Sequence, residues 1–174
     1  MVNRAMSTRK IVYVLLVLTL TILLCACSNS ETERAVREKI QGVTYYGRTT
    51  SESGTGSIVN KINREHKYWI TFNEDGSCTA TYELTVKYDE KYQQKNLRGK
   101  TVKDTSEFEG KWTIKAKESE ATVTVTYTES VFEVPTAFTV TLDSSGRITS
   151  FVGVNKHSED LKTNFQPWIV KPAE

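Results

Sequence analysis

The sequence predicts an all-β fold, an antiparallel up-and-down meander of about eight strands closing into a barrel, with a short N-terminal helix. Two observations carry the prediction. From Val43 onward, polar and apolar residues alternate in segments rich in Thr, Val, Tyr, Phe and Trp, the pattern of strands with one face in a core and the other in water. The links between these segments alternate between tight turns and longer loops. In a meander successive links fall at opposite ends, so the tight turns gather at one end and the loops at the other.

Glu31 to Gly42, "ETERAVREKIQG", places Ala35, Val36, Lys39 and Ile40 near helical spacing, with acids in the first turn and glycine as the stop. That predicts a short amphipathic helix packing Val36 and Ile40 on the domain. Strands follow at Val43 to Gly47 and Tyr68 to Asn73. "CTATYELTVKY" is the clearest of all: Cys78, Ala80, Tyr82, Leu84, Val86 and Tyr88 share one face, and Thr79, Thr81, Glu83, Thr85 and Lys87 the other. Phe108, Trp112 and Ile114 continue the pattern, then Ala121, Val123, Val125 and Tyr127, then Phe138, Val140 and Leu142. The last strands are expected at Arg147 to Val154 and Phe165 to Val170. "NEDG" (Asn73 to Gly76), "AKESE" (Ala116 to Glu120) and "DSSG" (Asp143 to Gly146) are the tight turns. The long loops are expected at Arg48 to Lys67, Asp89 to Ser106, Glu129 to Thr136 and Asn155 to Asn164.

The helix with "IQGVTYYG" (Ile40 to Gly47), the "WITFNEDGSCTATY" hairpin (Trp69 to Tyr82) and "FEGKWTI" (Phe108 to Ile114) resemble bacterial lipocalin-like, calycin-type lipoproteins. Gly110 to Trp112 supplies a G-x-W in mid-chain, where lipocalins proper carry one in the first strand. The resemblance implies a binding module for a small, partly apolar ligand. Strand direction then puts Tyr68, Tyr88, Phe108, Tyr127 and Phe138 near the long-loop mouth as candidate ligand contacts. A second reading keeps the barrel filled and gives the protein a structural or protein-interaction role exercised through its loops.

The first segment is a separate object. Arg4, Arg9 and Lys10 precede an apolar run from Ile11 to Ala26, and no acid appears before Glu31, the layout of an export signal. The run is shorter than the roughly 20 apolar residues that span a bilayer. Leu24, Cys25, Ala26 and Cys27 resemble a bacterial lipobox. That resemblance implies cleavage before Cys27, acylation of its thiol and loss of Cys25 with the leader. The expected organisation is residues 1–26 as signal peptide, 27–30 as lipidated cysteine and tether, and 31–174 as barrel domain. The expected location is the outer face of a bacterial membrane.

Cleavage removes three basic residues and no acid, so 23 Lys and Arg become 20 against 21 Asp and Glu, a formal charge of −1. That balance argues against a nucleic-acid partner. Cys78 is then the one cysteine without a lipid, so no internal disulfide is expected and the core alone must hold the fold.

Chemistry has few candidate parts. His66 and His157 both fall in predicted loops, where solvated side chains are expected, and with one remaining cysteine they make a poor metal or triad set. Glu107 and Glu109 flank Phe108 on an outer face, and Glu118 with Glu120 and Asp89 with Glu90 fall in turns, so none faces a partner across a cleft. "SGTGS" (Ser53 to Ser57) lacks the lysine and following helix of a phosphate loop. The basic stretch Lys87 to Asp104 reads as a solvated hairpin tip. Neither an enzyme activity nor a cofactor is expected.

Overall fold

The computed structural model describes residues 30–53, 61–131, 134–155 and 158–167. The leader, Cys25 and Cys27 lie outside the described residues, as do His157 and most of "SGTGS". Helix α1 covers residues 30–40. Eight strands follow: β1 (Thr44–Ser53), β2 (Ile62–Phe72), β3 (Ser77–Tyr88), β4 (Thr101–Lys117), β5 (Glu120–Tyr127), β6 (Ala137–Leu142), β7 (Ile148–Asn155) and β8 (Ser158–Pro167). Each pairs antiparallel with the next, and β8 closes on β1 through Tyr45 to Pro167 and Gly47 to Phe165, giving a closed barrel in sequence order. The architecture is that of the calycin-type, lipocalin-like fold.

One end is built from the three predicted tight turns. Asp75 and Asp143 each bend the chain by accepting bonds two residues on, from Ser77 and Ser145, and Gly76 and Gly146 supply the positive φ that these turns need. Helix α1 covers this end. Val36 and Ile40 are fully buried, Glu33 accepts a 3.0 Å bond from the Ala116 amide, and the Arg37 guanidinium sits 4.6 Å over the Trp112 ring. The helix stops where Gly42 turns at φ 71° and bonds its amide to the Phe72 carbonyl.

The barrel interior is filled with rings. Phe72 lies edge-on to Tyr45, Trp112 and Phe138 at centroid distances of 6.3, 5.6 and 5.7 Å, and 6.0 Å from Phe151. Phe165 continues the stack against Phe138 at 5.3 Å and Phe151 at 6.0 Å. Two glycines make room for it: a Cβ at Gly47 would stand 2.7 Å from the Phe165 ring, and one at Gly153 2.6 Å.

The other end departs from expectation. β1 runs to Ser53, β2 starts at Ile62 and β4 at Thr101, so two long loops shrink to residues 54–61 and 89–100. The loop expected from Asn155 to Asn164 is a hairpin with only residues 156–157 between β7 and β8. The physical reason is β3. Its backbone needs partners on both sides along its whole length, so β2 and β4 extend to match it, from Ile62 opposite Tyr88 and from Thr101 opposite Lys87.

Candidate functional site

Among the described residues, the barrel wall is incomplete beyond Gly47 and Gly110. Pairing of β1 with β8 stops at Gly47, and pairing of β4 with β5 begins only at Gly110. Residues 48–53, 62–67, 83–88 and 101–109 therefore run on as a four-stranded sheet past the ring of the barrel. Ala80, opposite Phe108, and Tyr88 at the far end are separated by about 26 Å of extended chain.

Strand alternation carries the inward face of the barrel onto this sheet. Register sets Thr49, His66, Leu84 and Asp104 in one row, then Ser51, Arg64, Val86 and Val102 in the next, with Ile62 opposite Tyr88 towards the tip. The result is a shelf, apolar on β3 and at Ile62 and Val102, and polar on β1, at Arg64 and His66 of β2 and at Asp104 of β4. Leu84, Val86, Ile62 and Tyr88 are half-buried, and Val102 is 44% exposed, the one exposed large apolar side chain among the described residues.

A column of rings ties the shelf to the core. A 2.8 Å hydrogen bond joins His66 Nδ1 to the Tyr82 hydroxyl, which donates when Nδ1 carries no proton. Tyr82 stacks on Tyr68 at 5.4 Å, and Tyr68 meets Phe165 at 6.1 Å. Arg64, one row out, donates to the Ser53 hydroxyl. Burial, and then the charge of Arg64, lower the His66 pKa below its ordinary 6.5. The expectation of a solvated loop histidine is thus corrected: β2 begins earlier than predicted and turns His66 to the inner face.

This shift has a measurable consequence. The unfolded chain binds a proton at His66 where the folded chain does not, so its contribution is fully present above about pH 6.5 and declines as pH falls through the lowered folded value. An NMR titration of the imidazole is expected to give a midpoint below 6.5, and His66→Gln to flatten that decline in stability. A midpoint at or above 6.5 contradicts the buried arrangement.

The five ring residues singled out in the sequence do not share one place. Tyr68 and Phe138 are 4% and 0% exposed within the core, both against Phe165. Phe108 meets Tyr127 at 6.1 Å, and the Tyr127 hydroxyl, its pKa pushed up by burial, donates to the Pro135 carbonyl. Tyr88 stands apart at the shelf tip, 4.9 Å from Tyr92. Tyr68 and Phe108 lie in mid-strand because β2 and β4 run six and seven residues further towards the loops. Sequence reasoning passed over Arg64 and Val102. Their segments carry few apolar residues, and the available signal was the length of β3.

Other chemistry takes ordinary positions. Burial pushes the Cys78 thiol up to about 12, which leaves it a small core side chain rather than a nucleophile. Glu107 and Glu109 are exposed on the outer face. Among the described residues, no three His, Cys, Asp or Glu side chains come together as a metal set. No protein-family model matches the chain, and no curated protein matches it in sequence.

Proposed function

We propose that the chain is a non-enzymatic envelope lipoprotein, anchored to the outer face of a bacterial membrane by acyl chains on Cys27, whose barrel presents the shelf to a small, partly apolar ligand. The observation that carries this reading is the patch formed by half-buried Leu84 and Val86 and exposed Val102, beside His66 and Arg64 in their two rows and standing above an interior already filled by rings. Apolar side chains left in water next to a cation suit an amphipathic molecule with an anionic end. Anchoring follows from the lipobox resemblance: two or more acyl chains, at about 0.8 kcal/mol per buried methylene, hold a domain at a bilayer where one lets go.

A filled interior also supports the second reading, a structural or protein-interaction lipoprotein, and one experiment separates the two. Binding of 8-anilinonaphthalene-1-sulfonate, an anionic aromatic dye, is followed by fluorescence with the full chain in non-ionic detergent. Arg64→Glu and Val86→Asp are each expected to weaken dye binding about tenfold, the effect of roughly 1.4 kcal/mol, while Phe138→Leu leaves it unchanged. Dye binding indifferent to both shelf variants returns the function to the second reading. For the anchor, Cys27→Ser is expected to move the protein from the membrane fraction to the soluble one, and undiminished membrane association overturns it.

A further inference from the structure

The free edge of β4 carries an inference independent of any ligand. Among the described residues, no strand pairs with residues 101–109 on the side away from β3. In an antiparallel strand the amide and carbonyl of one residue point to the same side. Even-numbered residues of this segment face β3, since the Lys100 carbonyl accepts from the Tyr88 amide and the Trp112 amide donates to the Gly76 carbonyl. Odd-numbered residues face outward, as the Glu109 carbonyl does in accepting from the Thr128 amide. The backbone groups of Thr101, Lys103, Thr105 and Glu107 are therefore aimed at the open edge. A groove of about 490 Å³ borders its inner end, between Glu107, Glu109, Thr128 and Glu129.

We propose that this edge pairs with the same edge of a second copy, about a two-fold axis at Thr105, to make a continuous sheet through both protomers. The side chains select this register. Centred on Thr105, Lys103 of each copy lies opposite Glu107 of the other on the outer face. On the inner face Val102 lies opposite Phe108, and Asp104 opposite Ser106. A shift centred on Asp104 sets that carboxylate against itself, and one centred on Lys103 does the same to the ammonium, both unfavourable. The chosen register also covers Val102, 44% exposed on this edge strand in a single copy. Antiparallel pairing within a sheet puts the two-fold normal to it, so both amino-terminal helices stand at equal heights along the axis. That geometry is compatible with one bilayer beneath both copies.

Sedimentation velocity of the full chain in non-ionic detergent tests the pairing. The unaltered chain is expected to form a dimer. Lys103→Glu turns both cross-strand ion pairs into repulsions and is expected to raise the dimer dissociation constant by about tenfold or more. Glu107→Lys does the same, and Lys103→Glu combined with Glu107→Lys restores the dimer by exchanging the charges. Circular dichroism confirms that each variant keeps its fold, which exposed positions allow. A monomer at every concentration, a dimer indifferent to the single swaps, or a double swap that fails to reassemble overturns the proposal.

Discussion

Phe72→Ala is expected to lower the stability of the domain by about 3–5 kcal/mol, the range for deleting a fully buried phenylalanine. The ring is 0% exposed and meets Tyr45, Trp112, Phe138 and Phe151, so its removal strips contacts from four neighbours at once. Those neighbours are themselves fixed. Trp112 donates to the Asn73 carbonyl and lies beneath Arg37, and Tyr45 is wedged 4.4 Å from Phe151, so they cannot collapse into the space. The void is therefore retained, and with it the upper part of the cost. Urea unfolding with an unchanged slope measures the loss, as a shift in midpoint of more than about 1 M. A loss below about 1 kcal/mol would mean that the interior already holds slack, and the filled barrel would have to be abandoned.

The second large effect is in the opposite direction, an added atom. Gly153→Ala places a methyl 2.6 Å from the Phe165 ring and 3.0 Å from that of Phe138, and overpacking of this kind costs about 1–3 kcal/mol. Phe165 has little room to retreat, because its ring already lies so close on the Gly47 backbone that an added Cβ there would stand 2.7 Å from it. Phe165→Leu should relieve the clash. In a double-mutant cycle the alanine is then expected to cost at least 1 kcal/mol less than in the parent, a coupling well above the few tenths seen between independent sites. Additive losses would show that the glycine is needed for some reason other than the ring.

These expectations rest on features of unequal legibility. The meander of eight strands, the barrel closure, the amino-terminal helix and the three tight turns could be read from "CTATYELTVKY" and its neighbours, because a half-buried strand writes its inner face into alternate positions, whereas β8 begins at Ser158, seven residues ahead of the expected Phe165. Glycine after an acidic turn residue, as in "NEDG" and "DSSG", fixes the turns for a comparably local reason. The shelf could not be read in that way. "RTTSES" and "TVKDTS" pair as strands while facing water on much of both sides, and "INREH" sets polar Arg64 and His66 on its inner face, so nothing in them repeats an apolar residue at every second place.

The class of fold, the order of its strands and the gathering of the tight turns at one end thus follow from the sequence alone. Those depend on local pattern and on the rule that neighbours in a meander pair. The tertiary structure decided what the pattern left open: that Phe72, Phe138, Phe151 and Phe165 converge and fill the interior, and that β3 draws β2 and β4 out beyond the ring. Ring packing depends on how far strands tilt and close, and strand length depends on backbone partners distant in sequence. Both are properties of the assembled sheet, and no single segment carries them.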